Sequence, residues 1–220
     1  MPLRLAPLFL LIPLFAGCQS LAWQDDLPPR PTERLQGELR VEGDQLLFRA
    51  CQGERRLRLI DVSDSGLLDD AQALADDGGA LLFVDVRGAL VSQNSEDRME
   101  VSHVYRVQAE GPGCGTRDFR QLILAASGNE PDWSLRVTRA GMLLQRPGQP
   151  PLALPYLEEQ LPGGQLSFSS EANEQQLDLW IAPQRCVDIS SGTVSHLTAE
   201  LRLDDRVLRG CGYYGGARND

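Results

Sequence analysis

The chain has 220 residues, 21 basic and 31 acidic, with a formal charge of −10 and 42% hydrophobic residues. That apolar fraction supports a packed core and excludes wholesale disorder, and the acidic balance argues against a nucleic-acid partner, which needs a basic field. All 21 basic residues are arginine, which excludes a lysine Schiff base, a P-loop lysine and a lysine general base.

Five cysteines are present, and an odd count leaves one thiol unpaired in an oxidising compartment. The amino terminus accounts for it. Residues 1–17 combine one cation (Arg4), a short proline-interrupted apolar run and small residues before a break, which is secretory signal architecture. The run is too short for a membrane-spanning helix of about 20 residues. Leu14-Phe15-Ala16-Gly17-Cys18 resembles the bacterial lipobox. The resemblance implies that Cys18 is diacylated and becomes the first residue of the mature chain, anchored in a membrane by several acyl chains. Gln19 rather than aspartate follows, which by the known sorting rules favours the periplasmic side of the outer membrane. Residues 18–34 then read as the acylated anchor and a tether, because Pro28, Pro29 and Pro31 favour extended polyproline geometry.

From residue 35 short alternating segments separated by turn residues predict antiparallel sheet. Strands are expected at 35–41, 45–50, 55–62, 80–86 and 99–107, the last with Met99, Val101, His103, Tyr105 and Val107 on one face. One helix is expected at 67–76, capped by Ser63, Asp64 or Ser65 and stopped by Gly78-Gly79. A second group of strands is expected at 119–126, 133–137, 142–145, 152–157, 165–169, 177–181, 193–203 and 206–210. The expected fold is therefore mainly β: two small antiparallel β domains, each a barrel or sandwich, with one short helix in the first. The domains are placed at 35–117 and 118–213, with a tail at 214–220.

Cys51, Cys114, Cys186 and Cys211 remain, and they allow three pairings. Only Cys51–Cys114 with Cys186–Cys211 keeps each bridge inside one expected domain. Each bridge contributes about 3–4.5 kcal/mol on the loop-entropy account. No C-x-x-C occurs and no histidine adjoins a cysteine, so a metal or redox role for these thiols is not expected.

Three separated motifs carry a family resemblance. Gly128-Asn-Glu-Pro-Asp-Trp133, Cys186-Val-Asp188-Ile-Ser-Ser191-Gly192 and Gly210-Cys211 resemble a family of uncharacterised bacterial envelope lipoproteins marked by G-x-E-P-x-W, C-x-D-x-x-S-G and a terminal G-C. Phe48-Arg-Ala-Cys51 and Gly113-Cys114 resemble more faintly the domain that accompanies the copper-homeostasis lipoprotein NlpE family, although the C-x-x-C of NlpE is missing here. The resemblance implies an outer-membrane lipoprotein of small β domains with no established catalytic activity.

Read from the residues, Trp133 is a core side chain on the face of Leu135 and Val137. Asp188 and Ser191 are expected to satisfy loop backbone groups in Asx and Ser turns, with a ligand-binding loop as the alternative. Trp180 lies opposite Leu179 and Ile181, either in a second core layer or on a partner surface. His103 is expected half-buried and His196 solvated, in different domains. Ser195 and His196 point to opposite strand faces and form no nucleophile–base pair. No hydrolase or phosphate-loop motif occurs. The expectation is a protein with no enzymatic activity, cofactor or metal, which acts by binding an envelope protein or a small ligand, as an envelope-stress sensor or an interaction module. A carrier cup in the second domain and an inhibitor of a periplasmic hydrolase are the alternatives.

Overall fold

The period-two pattern resolves into sixteen strands and one α-helix in the computed structural model, which describes residues 30–76, 81–93, 96–111, 113–116, 118–172 and 175–218. The meander β1 (Thr32–Glu42), β2 (Gln45–Ala50) and β3 (Arg56–Asp61) is antiparallel throughout. Leu39, Leu46, Phe48, Leu57 and Leu59 turn inward and are buried, while Arg40, Arg49 and Arg56 alternate outward. β4 (Leu82–Gln93) pairs with β1 and with β5 (Glu96–Gln108), and β5 runs parallel to β3. The five strands thus close in the order β1-β2-β3-β5-β4. With the helix between β3 and β4, this is the connectivity of an OB-type Greek-key barrel.

The helix α1 (Leu67–Asp76) packs Leu67, Ala71 and Leu74 into the barrel core at helical spacing. Its amino end is held by a residue outside the expected trio. Asp61 accepts the Leu67 N–H at 3.3 Å and the Ser65 hydroxyl at 2.9 Å. A carboxylate six residues upstream, at the end of β3, falls outside the window in which a local N-cap is sought. The expected stop at Gly78-Gly79 lies outside the described residues.

β5 does not keep its expected single face. Its pairing with β4 skips Ser102 and Tyr105, at register shifts opposite Arg87/Gly88 and Asp85/Val86. Each extra residue reverses which side the following residues face. Met99, Val101, Val104 and Val107 therefore face the barrel core, whereas Tyr105 turns outward into the core of the second sheet and His103 reaches the surface.

The second sheet is antiparallel. Its members are β6 (Leu122–Asn129), β7 (Asp132–Thr138), β8 (Gly141–Gln145), β9 (Leu152–Leu154), β10 (Leu157–Leu161), β11 (Gln165–Ala172), β12 (Gln175–Ala182), β15 (Leu197–Leu203) and β16 (Arg206–Tyr214). They lie in the order β10-β11-β12-β15-β16-β6-β7-β8-β9. The sheet curls around Leu124, Trp133, Leu135, Phe168, Leu177 and Leu201, all buried. The strand expected over 152–157 is split at Pro155, which has no N–H to donate. That over 193–203 is split at His196.

The reason for the second split is topological. After β12 the chain leaves its sheet and forms the short hairpin β13 (Cys186–Val187) and β14 (Val194–Ser195). β14 pairs with β5 through Val194↔Val107 and Ser195↔Arg106, and the chain then returns as β15. The mainly β architecture of two small β units with one helix is as expected. Segment 186–195 crosses between them.

A buried ion pair fixes the junction. Asp85 is 0% exposed and accepts two hydrogen bonds from Arg34, at 2.8 and 2.7 Å, and one from Gln36 at 2.8 Å. The same guanidinium donates to the carbonyls of Tyr214 and Gly215 at 2.7 and 3.1 Å and lies 3.6 Å from the Tyr105 ring centroid. One arginine thus satisfies a carboxylate of the barrel and two carbonyls at the end of β16.

Candidate functional site

The three sequence motifs meet at one place. Cys186 on β13 is bonded to Cys211 on β16 with a Cα separation of 5.5 Å, so this bridge joins the excursion to the second sheet. Cys51 and Cys114 form the other bridge, with Cα atoms 5.2 Å apart. Both pairings are those expected. Gly128 and Gly210 lie where β6 meets β16: a Cβ on Gly210 would stand 1.9 Å from the Ser127 carbonyl oxygen, and one on Gly128 2.6 Å from Trp133 Nε1. Only glycine permits that approach. Trp133 is buried in the second core, as expected.

Asp188 organises the loop between β13 and β14. Its Oδ1 accepts hydrogen bonds from the backbone N–H groups of Ser190 and Ser191, each at 3.0 Å, and from their hydroxyls at 2.7 and 3.0 Å. Oδ2 accepts from the Asn129 amide at 2.6 Å, which ties the loop to the β6–β7 turn. Partial burial alone raises the Asp188 carboxyl, but the bonds from Ser190, Ser191 and Asn129 outweigh it and hold the group at about 2. A carboxylate so engaged is a structural acceptor. Asp188 and Ser191 do what an Asx turn requires.

The rigid loop presents Ile189, which is 81% exposed, beside Val187 at 42%. Trp180 on β12 is 47% exposed, so it belongs to the outer surface and not to a second core layer. Trp180, Glu200 and Arg209 are successive cross-strand neighbours on β12, β15 and β16. A depression of about 340 Å³ beside Trp180 and another of about 430 Å³ beside Ile189 share Thr198, Ala199 and Arg209 as walls. Two large apolar side chains therefore flank one continuous surface. Sequence reasoning found Trp180 but missed Ile189, whose signal is an aliphatic side chain between turn-forming residues with no strand to bury it.

A larger cleft of about 600 Å³ opens where the sheets meet, with Asp188 and Ser191 on one side and Arg106 on another. Trp180 lies outside it.

The histidines depart from expectation. His196 is largely buried, and its Nδ1 lies 2.9 Å from the Tyr105 carbonyl oxygen. His103 and His196 pack edge to face with centroids 5.3 Å apart, beside Tyr105 and Tyr214. The excursion of β14 brings them together, which no pattern confined to one strand reveals. Burial depresses His196 to about 3, with Arg34 and His103 adding to the effect against the Tyr105 hydrogen bond. Burial and the nearby Arg34 and Arg87 lower His103 as well. Positive neighbours on both rings oppose a bound cation, and among the described residues no group of three or more potential metal ligands occurs. Cys18 lies outside the described residues.

Comparison with protein-family models, with curated proteins and with solved structures gives no match to this chain.

Proposed function

We propose that the protein is a non-enzymatic binding module, tethered through acylated Cys18 to the periplasmic side of the outer membrane, which engages an envelope protein. The observation that carries this reading is the placement of Trp180 and Ile189 as exposed anchors on either side of one surface. Interface hot spots favour large side chains on rigid, preorganised scaffolds. Here a bonded sheet holds Trp180, and the Cys186–Cys211 bridge with the Asp188 network holds Ile189. The filled concave face of the second sheet counts against a carrier cup, since Phe168, Leu177 and Leu201 already occupy it.

The test is site-specific photocrosslinking in intact cells. A photoreactive residue in place of Trp180 or Ile189 should give the same discrete adduct, and one in place of exposed Leu143 should not. Identical adducts from all three positions, or none from the first two, would remove the interaction reading. Lipid extracted from the purified protein in stoichiometric amount would favour the carrier.

A further inference from the structure

Arg106 carries a buried charge that the fold leaves only partly satisfied. It sits on β5 between Asp85 of β4 and Ser195 of β14, and it is 3% exposed. Its guanidinium packs 3.9 Å from the Tyr213 centroid and 4.7 Å from that of Phe83. The Tyr213 side chain makes one hydrogen bond with the guanidinium, and Asp85 acts favourably on its charge from nearby. Nε and Nη2 nevertheless have no hydrogen-bond partner, and no carboxylate forms an ion pair with it among the described residues. An arginine keeps its proton when buried, so the charge persists and calls for compensation. Asp85 is already committed to Arg34 and Gln36. Of the acids lining the adjoining cleft, Asp188 is engaged by its own loop and Asp118 lies 3.8 Å from Arg136.

The cleft beside Arg106 carries several hydroxyl groups among apolar walls. Ser127 and Ser134 line it from the second sheet, Ser191, Thr193 and Ser195 from the excursion, and Tyr213 from β16. Its volume of about 600 Å³ is within the usual range for a small-molecule site. We propose that this cleft binds a small polyhydroxylated ligand through a carboxylate or phosphate that pairs with Arg106, the hydroxyl side chains receiving the rest of the molecule. The anion supplies a counter-charge, and the guanidinium fork can donate in parallel to two oxygens of either a carboxylate or a phosphate. This cleft adjoins the Ile189 side of the other surface through Asp188 and Cys211, but the proposal does not rest on the partner-binding reading.

The experiment is calorimetric titration of the full chain with three probes: glucuronate, glucose 6-phosphate and neutral glucose. At least one anion should bind at least 10-fold more tightly than glucose, and which one does identifies carboxylate or phosphate as the recognised group. Arg106→Met should lower that anion's affinity at least 10-fold and leave glucose unchanged, and its fold is checked by near-ultraviolet circular dichroism. Ser134→Trp, which leaves Arg106 in place and fills the cleft from the opposite wall, should abolish binding in a chain whose charge is intact. Anions that bind no better than glucose, or that bind Arg106→Met and Ser134→Trp as well as the native chain, would overturn the proposal.

Discussion

Tyr105 and Val194 each lie in the core built by the other's half of the chain. Tyr105 leaves the barrel at the second skip in β5 and packs with Leu124 and Leu197, while Val194 arrives from between β12 and β15 to pack with Leu39 and Val107. Such an exchange means that neither half can keep its full core alone. Among the described residues the two sheets share no strand ladder, but packing and the Arg34 hydrogen bonds join them.

The Arg34–Asp85 pair should be the costliest polar contact to break. Arg34→Ala leaves the buried Asp85 carboxylate without its main partner and frees two carbonyls at the end of β16. We expect a loss of about 3–5 kcal/mol, read as a lower urea midpoint. A loss below about 1 kcal/mol would mean that water replaces the guanidinium.

Stability should fall in mild acid because of His196. The unfolded chain takes up a proton below about 6.5, whereas the folded chain resists protonation until about 3. The unfolded state therefore binds more protons across that window, and stability declines as pH drops through it. Between pH 7.5 and pH 5 the expected decline is about 2 kcal/mol, with His103 adding in the same direction. His196→Gln should flatten the pH dependence of the urea midpoint, and an unchanged slope would assign the effect elsewhere.

Asp188 acts in the same sense on acidification, but at lower pH. Its carboxyl is held at about 2 in the folded chain, against about 3.9 in the unfolded one. Its contribution is complete above pH 5 and disappears as pH falls from about 4 to 2. Because the loop is partly solvated, Asp188→Asn should cost only about 1 kcal/mol. It turns the acceptor facing Asn129 into a donor, so amide exchange of Ser190 and Ser191 should quicken. Unaltered exchange there would show that the Cys186–Cys211 bridge alone orders the loop.

The anchor has its own test. Cys18→Ala should move the protein from the membrane fraction to the soluble periplasmic fraction, and mass mapping of the native protein should find acyl chains on residue 18. Retention of Cys18→Ala in the membrane would refute the tether.

Much of the architecture is legible because alternation reports burial directly. Leu177, Leu179 and Ile181, or Leu46 and Phe48, need only one sheet face to be read. The helix could be placed because Leu67, Ala71 and Leu74 repeat at a period no strand uses. The two skips in β5 and the departure of residues 186–195 depend on pairing with distant strands, which local periodicity does not encode. The candidate site suffered most from this. Asp188 and Ser191 could be read as turn formers, and Trp180 as outward-facing, from neighbouring residues alone. Arg106 could not, because its burial comes from Ser195 and Tyr213, far along the chain.

The hairpin β13–β14 also sets an order of events. Along β5, β3 reaches only as far as Val101, so the outer edge from Tyr105 to Val107 stays unpaired until residues 194–196 supply β14 and the His196 N–H. A chain delivered from its amino end forms most of the barrel long before that happens. For that interval it carries a short adhesive edge of the kind that recruits foreign strands. Completion of the second half is therefore also what seals the first.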